Sequence, residues 1–169
     1  MVIRNFITGI LLAAGLICYF PAGATDSDNS PIEVGIFPPL QLPGTGFGIT
    51  GIRLNVVGYT REARGLDLAV IGNATDLMFK GLAISGLFNY NSNASYIYGL
   101  QFAGLANLNM GQNEVYGLQI ALYNSAGTVH GLQLGLINVA RVLRGVQIGL
   151  FNINRAGPFH ASPIINAAF

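Results

Sequence analysis

The sequence has very little charge, a single cysteine and no tryptophan. Only 9% of its 169 residues are Asp, Glu, Lys or Arg, whereas soluble globular domains have about 25%. Eight basic and seven acidic side chains nearly cancel, so the chain lacks the surplus of positive charge that is typical of nucleic-acid binding. Cys18 has no second cysteine to pair with in this chain, which excludes stabilisation by an internal disulfide.

The first 24 residues have the features of a secretory signal peptide. Arg4 provides a cationic start, the apolar run FITGILLAAGLICYF follows, and small residues lead up to Ala24. The run is short for a membrane-spanning helix, which needs about 20 residues, and Pro21 ends it. We therefore expect export with cleavage after Ala24, and a retained membrane helix is the alternative.

Residues 25–50 are expected to form a polar leader and a proline-rich capping segment. The stretch PIEVGIFPPLQLPGTG resembles a strand but is interrupted by Pro38, Pro39 and Pro43. Because proline cannot donate a hydrogen bond within a sheet, such a segment is typical of an edge or a cap.

Residues 51–169 consist of repeats of 14 to 18 residues. The units GLQIALYNSA, GLQLGLINVA and GVQIGLFNIN begin at Gly117, Gly131 and Gly145, and earlier units begin at residues 51, 65, 81 and 99. Apolar and small or polar residues alternate with a period of two, which predicts one strand and one turn per unit. The glycines within each unit disfavour helices, since each costs a helix about 1 kcal/mol.

Two all-β architectures fit this pattern. We predict a small antiparallel up-and-down β-barrel of about eight strands, with leucines facing lipid and with glutamine and glycine in a narrow interior. The alternative is a β-solenoid in which each unit is one coil, the leucines face inward, and equivalent glutamines and asparagines stack as ladders. The barrel is favoured because a solenoid's outer surface meets water, and this chain has almost no charge to place there. The even spacing of the units also keeps the leucines in one phase from strand to strand.

The candidate site residues are polar side chains within the strands. Arg53 and Asp67 each occupy the third position of a unit, and we predict a structural ion pair between them. Glutamine occupies that position in later units, where it is predicted to form a polar belt that satisfies the hydrogen bonds of the barrel interior; a narrow path for water or small solutes is the alternative. The predicted belt consists of Gln101, Gln119, Gln133 and Gln147.

The sequence contains no arrangement typical of catalysis or metal binding. Neither His130 nor His160 has a cysteine or an acid at ligand spacing, and no Ser–His–acid set is apparent. The stretch GTGFG at Gly44 is not followed by a predicted helix, so it lacks the helix N-terminus of a phosphate-binding loop. We therefore predict a non-enzymatic protein with no cofactor and no metal.

The phrases GLQLGLINVA and RGVQIGLFNIN, the opening IFPPLQL and the ending SPIINAAF resemble the GLQxGLxN surface repeats of spirochaetes and other Gram-negative bacteria. The resemblance covers roughly residues 32–169 and implies an envelope or surface location without assigning a catalytic or binding residue. The early units depart from it, with Arg53, Asp67 and Ala83 where later units have glutamine.

These observations together predict a structural or surface protein of the outer membrane. Membrane lipid is the expected partner, nucleic acid is not, and no protein partner is indicated. The alternative is a secreted β-solenoid on the cell surface that binds a partner or self-associates through flat apolar faces.

Overall fold

A computed structural model describes residues 29–38, 40–44, 46–92 and 96–169, so the predicted signal peptide lies outside the described residues. The regular secondary structure of these residues is β-strand. Over the same ranges, no helix has the length and the apolar character needed to cross a membrane. The strands are β1 (Asn29–Phe37), β2 (Leu40–Leu42), β3 (Gly48–Ser85), β4 (Phe88–Asn91), β5 (Tyr96–Ala103), β6 (Ala106–Asn109), β7 (Glu114–Ile120), β8 (Tyr123–Leu134), β9 (Ile137–Asn154) and β10 (Ala161–Ala168).

Successive units stack on one another as parallel coils. Gly99 pairs with Gly117, Gly117 with Gly131, and Gly131 with Gly145. Each residue therefore lies beside its counterpart in the next unit, one strand spacing of about 4.8 Å away. The result is a β-solenoid of about seven turns.

The predicted antiparallel barrel is wrong, and the alternative of a β-solenoid is confirmed. Up-and-down barrels pair neighbouring strands antiparallel, whereas β7, β8 and β9 pair with one another in parallel. Among the described residues, antiparallel pairing occurs only at the two ends, between β1 and β2 and between β9 and β10. The even spacing of the units does not distinguish the two architectures. In a barrel it keeps the leucines on one face, and in the solenoid the units of 14 or 18 residues stack with equivalent side chains next to each other.

Glycines allow the chain to bend within each coil. Gly131 has a φ of +142°, and a Cβ there would lie 2.1 Å from the carbonyl oxygen of Gly117 in the preceding coil. A second bend at residues 135–136 separates the segment that contains Gln133 from the segment that contains Asn138. One coil thus holds a leading segment before the first glycine (128–130), a glutamine segment (132–134) and an asparagine segment (137–140).

Amide side chains face the interior of the solenoid, and leucines at the bends face outward. Gln133 and Asn138 are completely buried, whereas Leu136 and Leu150 are 48% and 59% exposed. This orientation is the reverse of the one expected for a solenoid and agrees with the one expected for the barrel. Apolar side chains complete the interior beside the amides. This apolar core contains Ala63, Phe79, Ala83, Ile97, Val115, Ala126, Val129, Ala140 and Leu143.

Both ends of the stack are covered by strands that break the repeat. β1 runs parallel to the start of β3, and β2 folds back antiparallel onto β1. At the other end β10 pairs antiparallel with β9, so that Asn166 lies opposite Gln147. The antiparallel pairings of β2 with β1 and of β10 with β9 differ from the parallel pairings between coils. The terminal strands β2 and β10 therefore do not present another coil-like surface to the solvent.

Candidate functional site

The four predicted glutamines form a continuous ladder through the last four coils. The Nε2 of Gln119 donates to the Oε1 of Gln101 at 2.9 Å, Gln133 donates to Gln119 at 2.7 Å, and Gln147 donates to Gln133 at 2.8 Å. Every donor thus points toward the N-terminal coil. The structure brings these residues together along the axis of a solenoid rather than around the interior of a barrel.

Asparagines form a second ladder, whose donors point the opposite way. The Nδ2 of Asn107 donates to Asn124 at 2.9 Å, Asn124 donates to Asn138 at 2.9 Å, and Asn138 donates to Asn152 at 2.8 Å. The same amide nitrogen of Asn138 also donates to the main-chain oxygen of Ile148 at 2.9 Å. Each asparagine therefore links its own segment both to the next asparagine and to the glutamine segment of the next coil.

The asparagine ladder extends further toward the N-terminus than the sequence indicated. Asn73 donates to Asn89 at 3.3 Å, and Asn89 donates to Asn107 at 2.9 Å. In these units the asparagine lies eight residues after the first glycine instead of seven. Because Ala103 prolongs β5 by one residue before the bend, the asparagines still stack. The sequence feature that indicates this longer ladder is the recurrence of Asn in every unit from Asn73 onward. Its spacing from the first glycine does not indicate the ladder, because that spacing changes between units.

Arg53 and Asp67 occupy the glutamine position in the first two coils, and the structure brings them together. The Nη1 of Arg53 lies 2.8 Å from the Oδ2 of Asp67. Glu33 of β1 joins them, with its Oε1 3.3 Å from the Nε of Arg53 and 2.8 Å from the Nδ2 of Asn55. Glu33 was not among the predicted site residues, because it lies 20 residues before Arg53 in the proline-rich segment and belongs to no repeat.

Burial determines the protonation of this cluster. Arg53, Glu33 and Asp67 are each 1% exposed. Loss of solvation raises the pKa of Asp67 from 3.8 to about 6, against the opposing effect of the Arg53 charge. Loss of solvation also raises the pKa of Glu33. The cluster therefore holds one guanidinium between two carboxyl groups whose charged forms are disfavoured.

The histidines do not form a metal site with acidic residues. His130 stacks on Tyr116 with ring centroids 4.4 Å apart, and His160 is exposed after β9. Within the described ranges, no group of three His, Cys, Asp or Glu side chains is placed to hold a metal ion.

An apolar ridge runs along six coils of the solenoid, at or near the second bend of each. It presents one aliphatic side chain per coil, and each of these is between 41% and 69% exposed. Main-chain hydrogen bonds from Leu105 to Leu87 and from Leu136 to Leu122 keep the neighbouring members adjacent. The ridge consists of Val70, Leu87, Leu105, Leu122, Leu136 and Leu150.

The exposed charges lie on a different part of each coil, which we name the charged side. It extends from the end of an asparagine segment to the next unit's first glycine, for example residues 141–144. Outside the buried cluster the described residues include six basic and three acidic side chains, a surplus of three positive charges. They are Arg61, Arg64, Lys80, Arg141, Arg144 and Arg155, with Glu62, Asp76 and Glu114.

Comparison of the chain with known protein families, with curated proteins and with solved structures gives no match.

Proposed function

We propose that this chain is a non-enzymatic surface protein of the bacterial envelope that self-associates through its apolar ridge. The ridge carries this proposal, because it places exposed aliphatic side chains in register along six coils. Soluble monomers rarely expose a contiguous apolar patch of more than a few hundred Å². A second copy that packs its own ridge against this one removes both from water.

The buried polar groups support a role without catalysis. The amides of the two ladders are hydrogen-bonded to one another at 2.7–2.9 Å through the later coils. They are also fully buried, so they hold the coils together and do not offer hydrogen bonds to a substrate. The predicted signal peptide and the likeness to GLQxGLxN surface repeats support the envelope location.

Outer-membrane lipid is a second candidate partner for the ridge. The exposed charges are separated from the ridge, and such separation of apolar from charged surface is typical of proteins that lie in a membrane interface. A solenoid on a membrane would then bury the ridge among acyl chains and keep its charged side in water.

The decisive experiment measures the mass of the full chain after detergent is removed. Light scattering during size-exclusion chromatography should give a dimer or a larger species for the unchanged chain. Leu122→Ser/Leu136→Ser should give a monomer, because it removes two central members of the ridge. Tyr96→Ser removes an exposed ring from the charged side and serves as the matched control, which should still associate.

A monomeric unchanged chain would contradict self-association. If that monomer floats with phospholipid vesicles and the Leu122→Ser/Leu136→Ser variant does not, lipid is the partner of the ridge. Circular dichroism should give the same β-sheet spectrum for all three proteins, since the substituted side chains are exposed.

A further inference from the structure

A column of basic and aromatic side chains follows the charged side from coil to coil. Its members directly precede the first glycine of each unit. The parallel register places Lys80 beside Tyr98, and His130 beside Arg144. With strands about 4.8 Å apart, the column presents one polar group per strand spacing. We name it the cation–aromatic column, and it consists of Arg64, Lys80, Tyr98, Tyr116, His130 and Arg144.

The rings at the centre of the column are stacked face to face. The centroids of Tyr98 and Tyr116 are 5.0 Å apart with an interplanar angle of 13°, and those of Tyr116 and His130 are 4.4 Å apart with an angle of 6°. The hydroxyl of Tyr116 donates to the Oε2 of Glu114 at 2.7 Å, which raises the pKa of Tyr116. Because the ring faces cover one another, the column offers its ring edges to a ligand.

Cations flank the stacked rings on both sides. Arg64 and Lys80 precede them, and Arg144 follows them. Arg64 has an exposed partner in Glu62 at 3.4 Å, whereas no salt bridge among the described residues involves Lys80 or Arg144. An open groove of about 310 Å³ lies beside the first part of the column, lined by Arg64, Met78, Lys80 and Tyr98.

We propose that the cation–aromatic column binds a linear acidic polysaccharide laid along the solenoid axis. Lys80 and Arg144 are four strand spacings apart, about 19 Å, and bind carboxylates of sugar units along one polymer. The tyrosine hydroxyls and the imidazole of His130 bind sugar hydroxyls between them. This site uses a different part of the coil from the apolar ridge, so it does not depend on the proposed self-association.

The stacked rings favour a polysaccharide over a single-stranded nucleic acid. Proteins that bind single strands stack bases on the faces of aromatic side chains. Here those faces already contact one another from Tyr98 to His130. A sugar polymer needs only the hydrogen-bonding edges and the cations, and both are available along the column.

The test measures binding of alginate oligomers, dextran and oligo(dT) to the immobilised full chain by biolayer interferometry. Alginate is a linear polyuronate, and dextran is its uncharged control. Alginate should bind and dextran should not. Arg144→Gln should weaken alginate binding about fivefold, the upper range for an exposed ion pair. Tyr116→Phe keeps the stacked ring and should weaken binding about threefold through loss of the hydroxyl.

Arg155→Gln is the matched control, because it removes one positive charge from an exposed position off the column; it should change alginate affinity less than twofold. The proposal fails if alginate does not bind, or if Arg155→Gln weakens binding as much as Arg144→Gln, since the attraction would then be unspecific. Tighter binding of oligo(dT) than of alginate, with the same dependence on Arg144, would assign the column to nucleic acid and overturn the proposal. Equal melting temperatures for the variants ensure that affinity is compared between folded proteins.

Discussion

The first and last coils of the solenoid fill the same interior position with different chemistry. The last four coils place glutamine there, whereas the first two place Arg53 and Asp67, with Ala83 between the two regions. A glutamine supplies both a donor and an acceptor. The glutamine of each added coil therefore donates a hydrogen bond to the side-chain oxygen of the glutamine in the coil before it. A column of charges has to alternate in sign and has to lose its hydration.

The two regions also differ in how completely their buried polar atoms are bonded. In the charged region Glu33 Oε2, Arg53 Nη2 and Asp67 Oδ1 have no hydrogen-bond partner among the described residues, whereas in the glutamine ladder only the terminal Gln147 Oε1 lacks one. Buried groups without partners cost stability. The regular repeats are therefore stabilised by amides that satisfy one another's hydrogen bonds, whereas the first coils depend on one ion cluster.

The largest effect is expected from removing the cation of that cluster. Arg53→Ala leaves Glu33 and Asp67 buried without their counter-charge and should lower the free energy of unfolding by about 3–5 kcal/mol. Chemical denaturation followed by circular dichroism at neutral pH measures the change. Arg64→Ala removes an exposed arginine at the end of the same unit and should cost about 1 kcal/mol or less. Equal losses for the two variants would show that the cluster does not hold the first coils together.

A change of pH should act on the same region. The pKa of Asp67 is 3.8 in an exposed carboxyl and about 6 in the folded protein, so between these values the folded state binds more protons than the unfolded state. This contribution to stability is complete below about pH 4 and falls by about 3 kcal/mol as the pH rises through 6. Denaturation midpoints measured across this range should decrease with pH.

The control for the pH effect converts the cluster into amides. Glu33→Gln/Arg53→Gln/Asp67→Gln removes all three titrating or charged groups and should flatten the decrease between pH 4 and about pH 6. Because buried ion clusters are often replaced by uncharged side chains without loss, this variant should also be more stable than Arg53→Ala. A pH dependence that persists in it would assign the effect to other carboxyl groups.

Breaking the ladder in its middle should have a smaller effect. Gln133→Leu leaves the Oε1 of Gln119 and one N–H of Gln147 without partners, at a cost of about 2–3 kcal/mol. Gln147→Leu at the end of the ladder removes an Oε1 that already lacks a partner, although it also deprives the Oε1 of Gln133 and the main-chain oxygen of Ile153 of a donor. It should therefore cost less than Gln133→Leu, about 1–2 kcal/mol. Urea denaturation of the two variants compares them directly, and an equal cost would contradict a continuous ladder.

The smallest effect concerns the strand that covers the last coil. Ile164 has a φ of +68° at an irregularity in the pairing of β10 with β9. A β-branched residue is disfavoured in this left-handed conformation by about 1–2 kcal/mol, whereas asparagine tolerates it. Ile164→Asn should therefore raise the melting temperature, and Ile165→Asn at the neighbouring exposed position should not. A lower melting temperature for Ile164→Asn would show that its side chain has a packing role in the cap.

The alternation of residues predicted the strands and placed the glutamines inside. Gln133 is buried and Leu136 is exposed, as the barrel hypothesis required. Strict alternation places Asn138 on the same face as Leu136, and the bend at residues 135–136 is what turns Asn138 into the interior. The direction of strand pairing could not be deduced from this pattern, because a parallel coil and an antiparallel barrel strand alternate in the same way. The deciding features are the close approach of Gly131 to Gly117 and the bend at residue 135, and a glycine in a sequence does not indicate whether its strand bends.

The ion cluster was predictable in part. Arg53 and Asp67 share a position in neighbouring units, so any architecture that stacks the units brings them close. Glu33 belongs to no repeat, and its contact with Arg53 depends on the parallel docking of β1 against β3. That docking is a tertiary contact between segments 20 residues apart, which the local pattern of residues does not encode.

The opposite donor directions of the two amide ladders have a consequence for the growth of such a protein. A string of hydrogen-bonded amides that all point one way adds its dipoles along the axis, as peptide groups do in a helix. Here the glutamine string runs toward one terminus and the asparagine string toward the other, so the two fields oppose each other in the last four coils. Adding or removing one of these regular coils would therefore leave the two strings of amide dipoles balanced along the axis.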